Sequence, residues 1–167
     1  MALVQGITEF LPLSSSAHLV LIPAVTGWTD QGLNIDIAAH LGSLAAVAVY
    51  YQKDVSCLAR GVMAALCWRP DGNSRLALLL AVASVPAILA GALLVNLATS
   101  SFRDVEIVAW ATLAGAIALL IADRVGLRTG NTQSMSIQHA IIIGLAQILA
   151  LVPGASRAGV TITAALL

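Results

Sequence analysis

From Leu76 to Ala98 the chain carries no charged side chain, and two further runs, Leu33–Tyr51 and Val105–Ala122, are nearly as apolar. Roughly 20 such residues are needed to cross the hydrocarbon core of a bilayer. Inside that core each backbone N–H and C=O must find its partner within the segment, which a helix provides. Pro86 falls in the middle run and predicts a kink there rather than an end, as membrane helices tolerate. Composition agrees: 59% of residues are hydrophobic and 10% charged, against roughly 25% charged in a soluble domain. Such a chain cannot cover a water-facing surface. Its net charge of zero argues against the electrostatic footprint of a nucleic-acid binder. Cys57 and Cys67 fit neither a zinc spacing nor a disulfide framework and are read as small apolar packing residues.

Sidedness follows from the basic residues. Lys53, Arg60, Arg69 and Arg75 fall within 52–75, and Arg124 and Arg128 within 123–137, whereas 99–104 holds only Arg103 and 27–32 none. Basic loops stay in the cytoplasm, which puts 52–75 and 123–137 inside and the other two connections outside, alternating across all three spans. The stretch Val55–Trp68 predicts a helix lying on the inner surface.

Two more apolar regions are interrupted, Met1–Thr26 at Pro12 and Ile137–Leu167 at Pro153–Gly154, and they resemble each other. "ALVQGITEFLPLSSSAH" (2–18) and "GLAQILALVPGASRAG" (144–159) each run from a small residue and Gln (Gln5, Gln147) through an apolar stretch to proline and then to hydroxyls. One gap aligns Pro12 with Pro153 and Ser15 with Ser156. With three spans between them the copies enter the membrane in opposite senses, the pattern of inverted repeats whose half-helix N-termini point at an anionic ligand. The predicted fold is an all-α polytopic membrane protein, a single integral membrane domain over 1–167. It has two broken, re-entrant helical elements (motifs 2–18 and 144–161) and about three full transmembrane helices.

The breaks carry the chemistry. Proline ends the first half-helix; Ser14, Ser15 or Ser16 then caps the next, whose free N–H groups and positive dipole end suit an anion. His18 lies in its first turn. In the second copy Ser156 is the cap and Arg157 brings a fixed charge with five donors matched to phosphate, so the two breaks are expected to converge on one polar spot, with Glu9, His18 and Arg157 sharing one cavity. Glu9, four residues after Gln5, shares its helix face. A carboxylate beside phosphate repels it unless a divalent cation bridges the two, which Mg²⁺ does with one or two carboxylates plus substrate. Ionisable residues at membrane depth are functional candidates by default. Asp36 and His40, also four apart, are read as hydrogen-bonding glue between helices, with support of the site as the sharper alternative. His139 is expected at a solvated helix start, and Trp28, Trp68 and Trp110 as interface anchors or packing.

"QGITEFLPLSSSAH" resembles the (Glu/Gln)-x-x-x-Glu motif and following Ser…His of the undecaprenyl-pyrophosphate phosphatases, the BacA-type bacitracin-resistance proteins. "PGASRAGVT" resembles the same family's Pro-Gly-x-Ser-Arg-Ser-x-x-Thr motif, and "DIAAHLGSLAAVAVYY" (36–51) its span after the first motif. The resemblance implies hydrolysis of undecaprenyl pyrophosphate to undecaprenyl phosphate on the outer side of the bacterial cytoplasmic membrane, recycling the cell-wall lipid carrier. Gln5, Glu9, Ser15, His18, Ser156, Arg157 and Thr161 match the family's functional positions. The expected assignment is Glu9, Ser15, His18 and Arg157 as catalytic, and Ser14, Ser16, Ser156 and Thr161 as substrate-binding. Gln5 and Glu9 are expected to hold a divalent cation, Mg²⁺ ahead of Ca²⁺. The expected partners are a polyprenyl diphosphate and the bilayer, with no nucleic acid.

Three departures stand out. Position 5 carries Gln, so a second carboxylate is absent there, and Ala158 replaces the motif's second Ser. Family members also run about a hundred residues longer and start further upstream. Gly159–Leu167 offers about 14 Å of helix, short of the ~30 Å hydrocarbon core, so the chain is expected to be a piece of a longer one, cut at both ends. A transporter or lipid flippase is the rival reading, because broken inverted repeats serve transport equally. A general base beside a hydroxyl is what transport does not need.

Overall fold

The computed structural model describes residues 1–29, 31–69, 71–98, 104–126 and 135–167; Arg103 and Arg128, used above for sidedness, lie outside the described residues. Among the described residues eight α-helices follow one another: α1 (Ala2–Thr8), α2 (Ser15–Thr26), α3 (Leu33–Tyr50), α4 (Gln52–Leu66), α5 (Gly72–Ala98), α6 (Val105–Val125), α7 (Ile137–Ala146) and α8 (Arg157–Leu166), with a 3₁₀ turn (Gln147–Leu151) after α7. No strand occurs among the described residues.

Two of the three expected spans are long and apolar enough to cross a bilayer. Gly72–Leu94 has a mean hydropathy of 2.4 and Val105–Val125 of 2.1, yet only 6% and 11% of these stretches are buried. A core helix of a water-soluble protein would be mostly buried, so these helices turn their Leu, Ile and Val side chains outward, as lipid requires. This is an all-α membrane protein. The third expected span, α3, is shorter in its apolar part, Asn34–Tyr50, and carries Asn34, Asp36 and His40 in its first half. α5 passes through Pro86 without a break, as expected. The sequence 52–66 is a helix, α4, and not a connecting loop.

α4 folds back against the start of α5, where Gly61 meets it closely: a Cβ at Gly61 would lie 2.5 Å from the Asn73 carbonyl carbon. Ser74 Oγ lies 2.8 Å from the Gly61 carbonyl oxygen, within donating reach. Because α4 lies at the surface, Cys67 is exposed and Cys57 only half-buried. Neither is the apolar core filler expected from the base rate for free cysteine.

The second interrupted region runs alongside α5 and then turns back. Arg75 Nη2 donates to the Met135 carbonyl at 2.8 Å, Gln147 Nε2 to the Ala83 carbonyl at 3.3 Å, and Leu151 packs beside Gly91. α7 and its 3₁₀ turn therefore follow α5 in the same direction. At Gly144 the two backbones touch, since a Cβ there would come within 2.6 Å of the Ala83 oxygen. After the break α8 returns along α6, until Leu166 abuts Gly126 just past the end of α6. The element thus starts beside the start of α5 and ends beside the end of α6. The basic residues mark those same two ends as lying on one side. The turn itself sits by Val108, Ala111 and Thr112, near the start of α6. His139 opens α7 in a capping box with Ser136, the exposed helix start expected for it.

Candidate active site

Both breaks form where proline and serine direct them. α1 stops at Thr8, the chain turns through 9–13, and Ser14 caps α2 by accepting from the Ala17 N–H at 3.2 Å. In the second copy Ser156 caps α8 by accepting from the Gly159 N–H at 3.2 Å. The cap equivalent to Ser156 is therefore Ser14, one residue before the Ser15 that sequence alignment paired with it; Ser15 is the first helical residue of α2.

The two turns are in direct contact. Ser156 Oγ donates to the Leu13 carbonyl at 3.1 Å, and the Gly154 N–H donates to Ser16 Oγ at 3.4 Å. Gly154 adopts a positive φ of 102°, and a Cβ there would lie 2.5 Å from the Val108 oxygen, so backbone conformation and space both demand glycine. Thr112 Oγ1 lies 3.2 Å from the Gly154 carbonyl oxygen and ties the turn to α6. Thr112 is one residue that reading the motifs missed, because nothing in sequence links position 112 to 154.

Around the start of α2 the candidate residues divide between two sides. On one side, Glu9 Oε2 receives Gln5 Nε2 at 3.1 Å and Ser15 Oγ at 2.5 Å, and His40 Nε2 of α3 lies 3.4 Å from it. Gln5 is 1% exposed, and its Oε1 accepts from Ser43 Oγ at 2.8 Å. His40 and Ser43 are thus brought to the cluster by α3. The pairing of Glu9 with Gln5 follows from their helical spacing; the contribution of α3 is tertiary and was legible only as the sharper alternative for His40.

On the other side a cavity of about 810 Å³ opens between α2, α6, α7 and α8. Its polar end carries Ser14, His18, Thr112 and Ser156, and its far end reaches Ala118, Leu119 and Leu167. His18 Nδ1 lies 2.7 Å from the Ser14 carbonyl oxygen. A carbonyl only accepts, so Nδ1 carries the hydrogen and Nε2 is left to exchange a proton. Glu9, Ser15 and Arg157 do not line this cavity. The single shared cavity expected for Glu9, His18 and Arg157 is instead a cluster and a cavity flanking one helix start. Arg157 is the exposed first residue of α8, next to the Ser156 cap. Thr161 spends its hydroxyl on the Arg157 and Ala158 carbonyls of its own helix at 2.9 and 3.0 Å, while Thr163 faces the cavity. Ser16 bonds with Ser14 across 3.0 Å and holds the second turn.

With these motifs placed, the comparison with known proteins becomes specific. The family model described as bacitracin resistance protein BacA matches residues 1–167. The chain belongs to the BacA family. Within it, the chain is 52% identical to the undecaprenyl-diphosphatase of Maricaulis maris, over 99% of this chain and 62% of that protein. It is 45% identical to the undecaprenyl-diphosphatase of Thioalkalivibrio sulfidiphilus, over 100% of this chain and 63% of the relative. The same identity, 45%, holds for that of Teredinibacter turnerae, over 99% of this chain and 63% of the relative. The chain thus spans a little over three-fifths of the length of these relatives.

For a BacA-family cation the donor set can be tested directly. Gln5 is turned the wrong way for a ligand, its nitrogen toward Glu9 and its oxygen held by Ser43. Glu9 Oε2 is taken up by two donors, Gln5 and Ser15, with His40 Nε2 3.4 Å away, but the side chain is 35% exposed and Oε1 has no partner among the described residues. No cluster of three or more acidic, His or Cys residues occurs among the described residues. One unpartnered carboxylate oxygen on a partly exposed side chain fits a hard cation that arrives with phosphate oxygens; it does not fit an all-protein cage.

Proposed function

We propose that this protein hydrolyses a polyprenyl diphosphate of the undecaprenyl class to the monophosphate and inorganic phosphate. The site lies at the outer face of a bacterial cytoplasmic membrane, and the reaction returns the lipid carrier to cell-wall synthesis. The names of its relatives support the substrate. The observation that carries the reading is the contact between the two breaks, Ser156 to Leu13 and Gly154 to Ser16. It brings two helix N-termini, both favourable to phosphate, to the polar end of an otherwise apolar cavity.

The diphosphate sits across the start of α2, between that polar end and the Glu9–Ser15 pair, with the isoprenoid chain leaving along the apolar wall of the cavity. His18 Nε2 faces it as the proton-transfer group, the role for which a free imidazole nitrogen is suited. The Arg157 guanidinium neutralises the charge that grows on the phosphoryl oxygens, a contribution that electrostatic preorganisation makes large. Ser14 and Ser156 cap one N–H at each helix start and leave the first N–H groups for the anion. Glu9 receives the Ser15 hydroxyl, the hydroxyl–carboxylate pairing that marks an activated nucleophile. A divalent cation, Mg²⁺ or Ca²⁺, held at Glu9 Oε1 would supply charge neutralisation to the diphosphate. Binding and moving an anion needs the helix ends and the arginine. The hydroxyl–carboxylate pair and the histidine with one nitrogen free are additional, and they favour hydrolysis over transport.

The test is phosphate release in proteoliposomes, with the Maricaulis maris relative as positive control. A long-chain isoprenyl diphosphate should be hydrolysed and inorganic diphosphate should not. Equal rates on both would remove the lipid from the proposal, and no release from either would remove hydrolysis.

A further inference from the structure

Ser43, on α3, stands at the end of a chain of hydrogen bonds that runs into the candidate site. Its Oγ lies 2.8 Å from Gln5 Oε1, Gln5 Nε2 donates to Glu9 Oε2 at 3.1 Å, and the same carboxylate oxygen receives Ser15 Oγ at 2.5 Å. Chemistry sets each direction. A carboxylate only accepts, so Gln5 turns its nitrogen to Glu9 and its oxygen to Ser43, whose hydroxyl then donates. The three uncharged members are buried, Gln5 at 1% exposure and Ser15 and Ser43 at 8%. We propose that Ser43 is a positioning residue for the reaction. By holding the far end of the Gln5 amide it keeps Gln5 against Glu9, and so keeps the carboxylate where it receives the Ser15 hydroxyl.

Burial is what gives the contact its force. Ser43 is the partner of Gln5 Oε1 among the described residues. Without that hydroxyl a buried carbonyl oxygen is left unsatisfied, which costs the full desolvation of the group. The amide escapes the cost by swinging toward another donor or toward water, and either movement takes Nε2 away from Glu9. The other acceptor within reach of Ser43, the Ala39 carbonyl one turn back, is farther off at 3.3 Å, so the shorter bond to Gln5 takes the hydroxyl hydrogen. Neither Ser43 nor Gln5 lines the cavity. Loss of Ser43 therefore disturbs the reacting groups and leaves substrate binding in place.

The proposal rests on the proposed roles of Glu9 and Ser15, and its test separates the two. In spectra of the ¹⁵N-glutamine-labelled protein, the Gln5 side-chain amide is the signal that Gln5→Ala removes. Ser43→Ala should move that signal and leave the one from Gln147, tied to the Ala83 carbonyl, in place. In the phosphate-release assay, Ser43→Ala should lower kcat about tenfold with KM little changed, the scale of one hydrogen bond to a charged group. On a Gln5→Ala background the same change should cost little, because the group that Ser43 holds is gone. An unmoved Gln5 signal overturns the proposal, and so does parental turnover by Ser43→Ala, a loss confined to KM, or a full loss repeated without Gln5. A parent that releases no phosphate sinks the hydrolase reading alone, and the spectra then still decide whether Ser43 holds Gln5.

Discussion

At the scale of single residues, the carboxylate of Glu9 is the group with most at stake. A charged oxygen in apolar surroundings is costly unless hydrogen bonds compensate it. Here Gln5 and Ser15 hydrogen-bond Oε2 and His40 Nε2 stands 3.4 Å from it, which leaves Oε1 for the proposed cation. Glu9→Gln should therefore give a protein whose residual phosphate release responds weakly to added Mg²⁺, because the anchoring charge is gone. A Mg²⁺ titration of parent and variant checks this, and an unchanged Mg²⁺ dependence would place the cation elsewhere. Much of the cluster was legible in sequence, because Gln5 and Glu9 are four apart and helical spacing alone puts them on one face. The contribution of α3 was not. His40 is 31 positions from Glu9, roughly a helix and a half of intervening chain, and only packing decides whether such residues meet. The cap was legible only as one of three serines, and the repeat alignment fell one residue off it, for a related reason: three consecutive serines each have capping chemistry, and the backbone conformation at Ser14 selects among them.

Among the elements, the corner between α4 and α5 is where pH should act on stability. Asp71 accepts the Ser74 backbone N–H at 2.8 Å and lies within donating reach of the Ser74 hydroxyl at the same distance, with Asn73 adding a longer contact. The Ser74 backbone hydrogen bond, with help from the Ser74 hydroxyl, holds the Asp71 carboxyl below its ordinary value of 3.8. A depressed folded value means that the stabilisation is fully present above the ordinary value and is lost as pH falls through the lower, folded one. Amide exchange at Ser74 should accordingly accelerate only at strongly acid pH in the parent, and be fast and nearly pH-independent in its protection in Asp71→Ala. A parent as unprotected at neutral pH as the variant would contradict the cap. The elements themselves were mostly readable. Pro12 and Pro153 mark the two breaks, where proline lacks a donor and clashes with the preceding turn, although the helical segments already stop at Thr8 and Leu151, while Pro86 is tolerated within α5. α4 was readable as a helix from its mixed basic and apolar face, but its cysteines were not, since base rates for free cysteine describe cores and this helix lies at a surface.

For the whole molecule, membrane class came directly from apolar run length, and sidedness is the proposal that rests on the Lys/Arg count. Arg75 bonding to Met135 supports it by bringing segments 52–75 and 123–137 to one end. Cys67 is exposed and Cys57 half-buried on α4. Neither should label with a membrane-impermeant maleimide in intact cells, and Cys67 should label once the membrane is permeabilised; labelling from outside would invert the topology. That the two breaks converge was legible from the inverted repeat; how they touch was not, since similarity of 2–18 and 144–159 says that two sites are alike and not which atoms meet. The contact is made by atoms a repeat cannot specify, the Leu13 carbonyl and the Gly154 N–H.

The central claim is that the two breaks form one hydrolytic site, with His18 from the first and Arg157 from the second acting on one diphosphate. The most direct measurement is kcat for lipid diphosphate in His18→Ala, Arg157→Lys and the double variant. Each single change should cost roughly 10²-fold or more, as expected for a proton-transfer group and for a donor to developing charge. Lys keeps the charge of Arg157 but not its planar fork. The double variant should lose far less than the product of the two, because groups serving one transition state fail together. Singles that turn over at the parental rate, or losses that multiply as independent effects, would contradict a shared site.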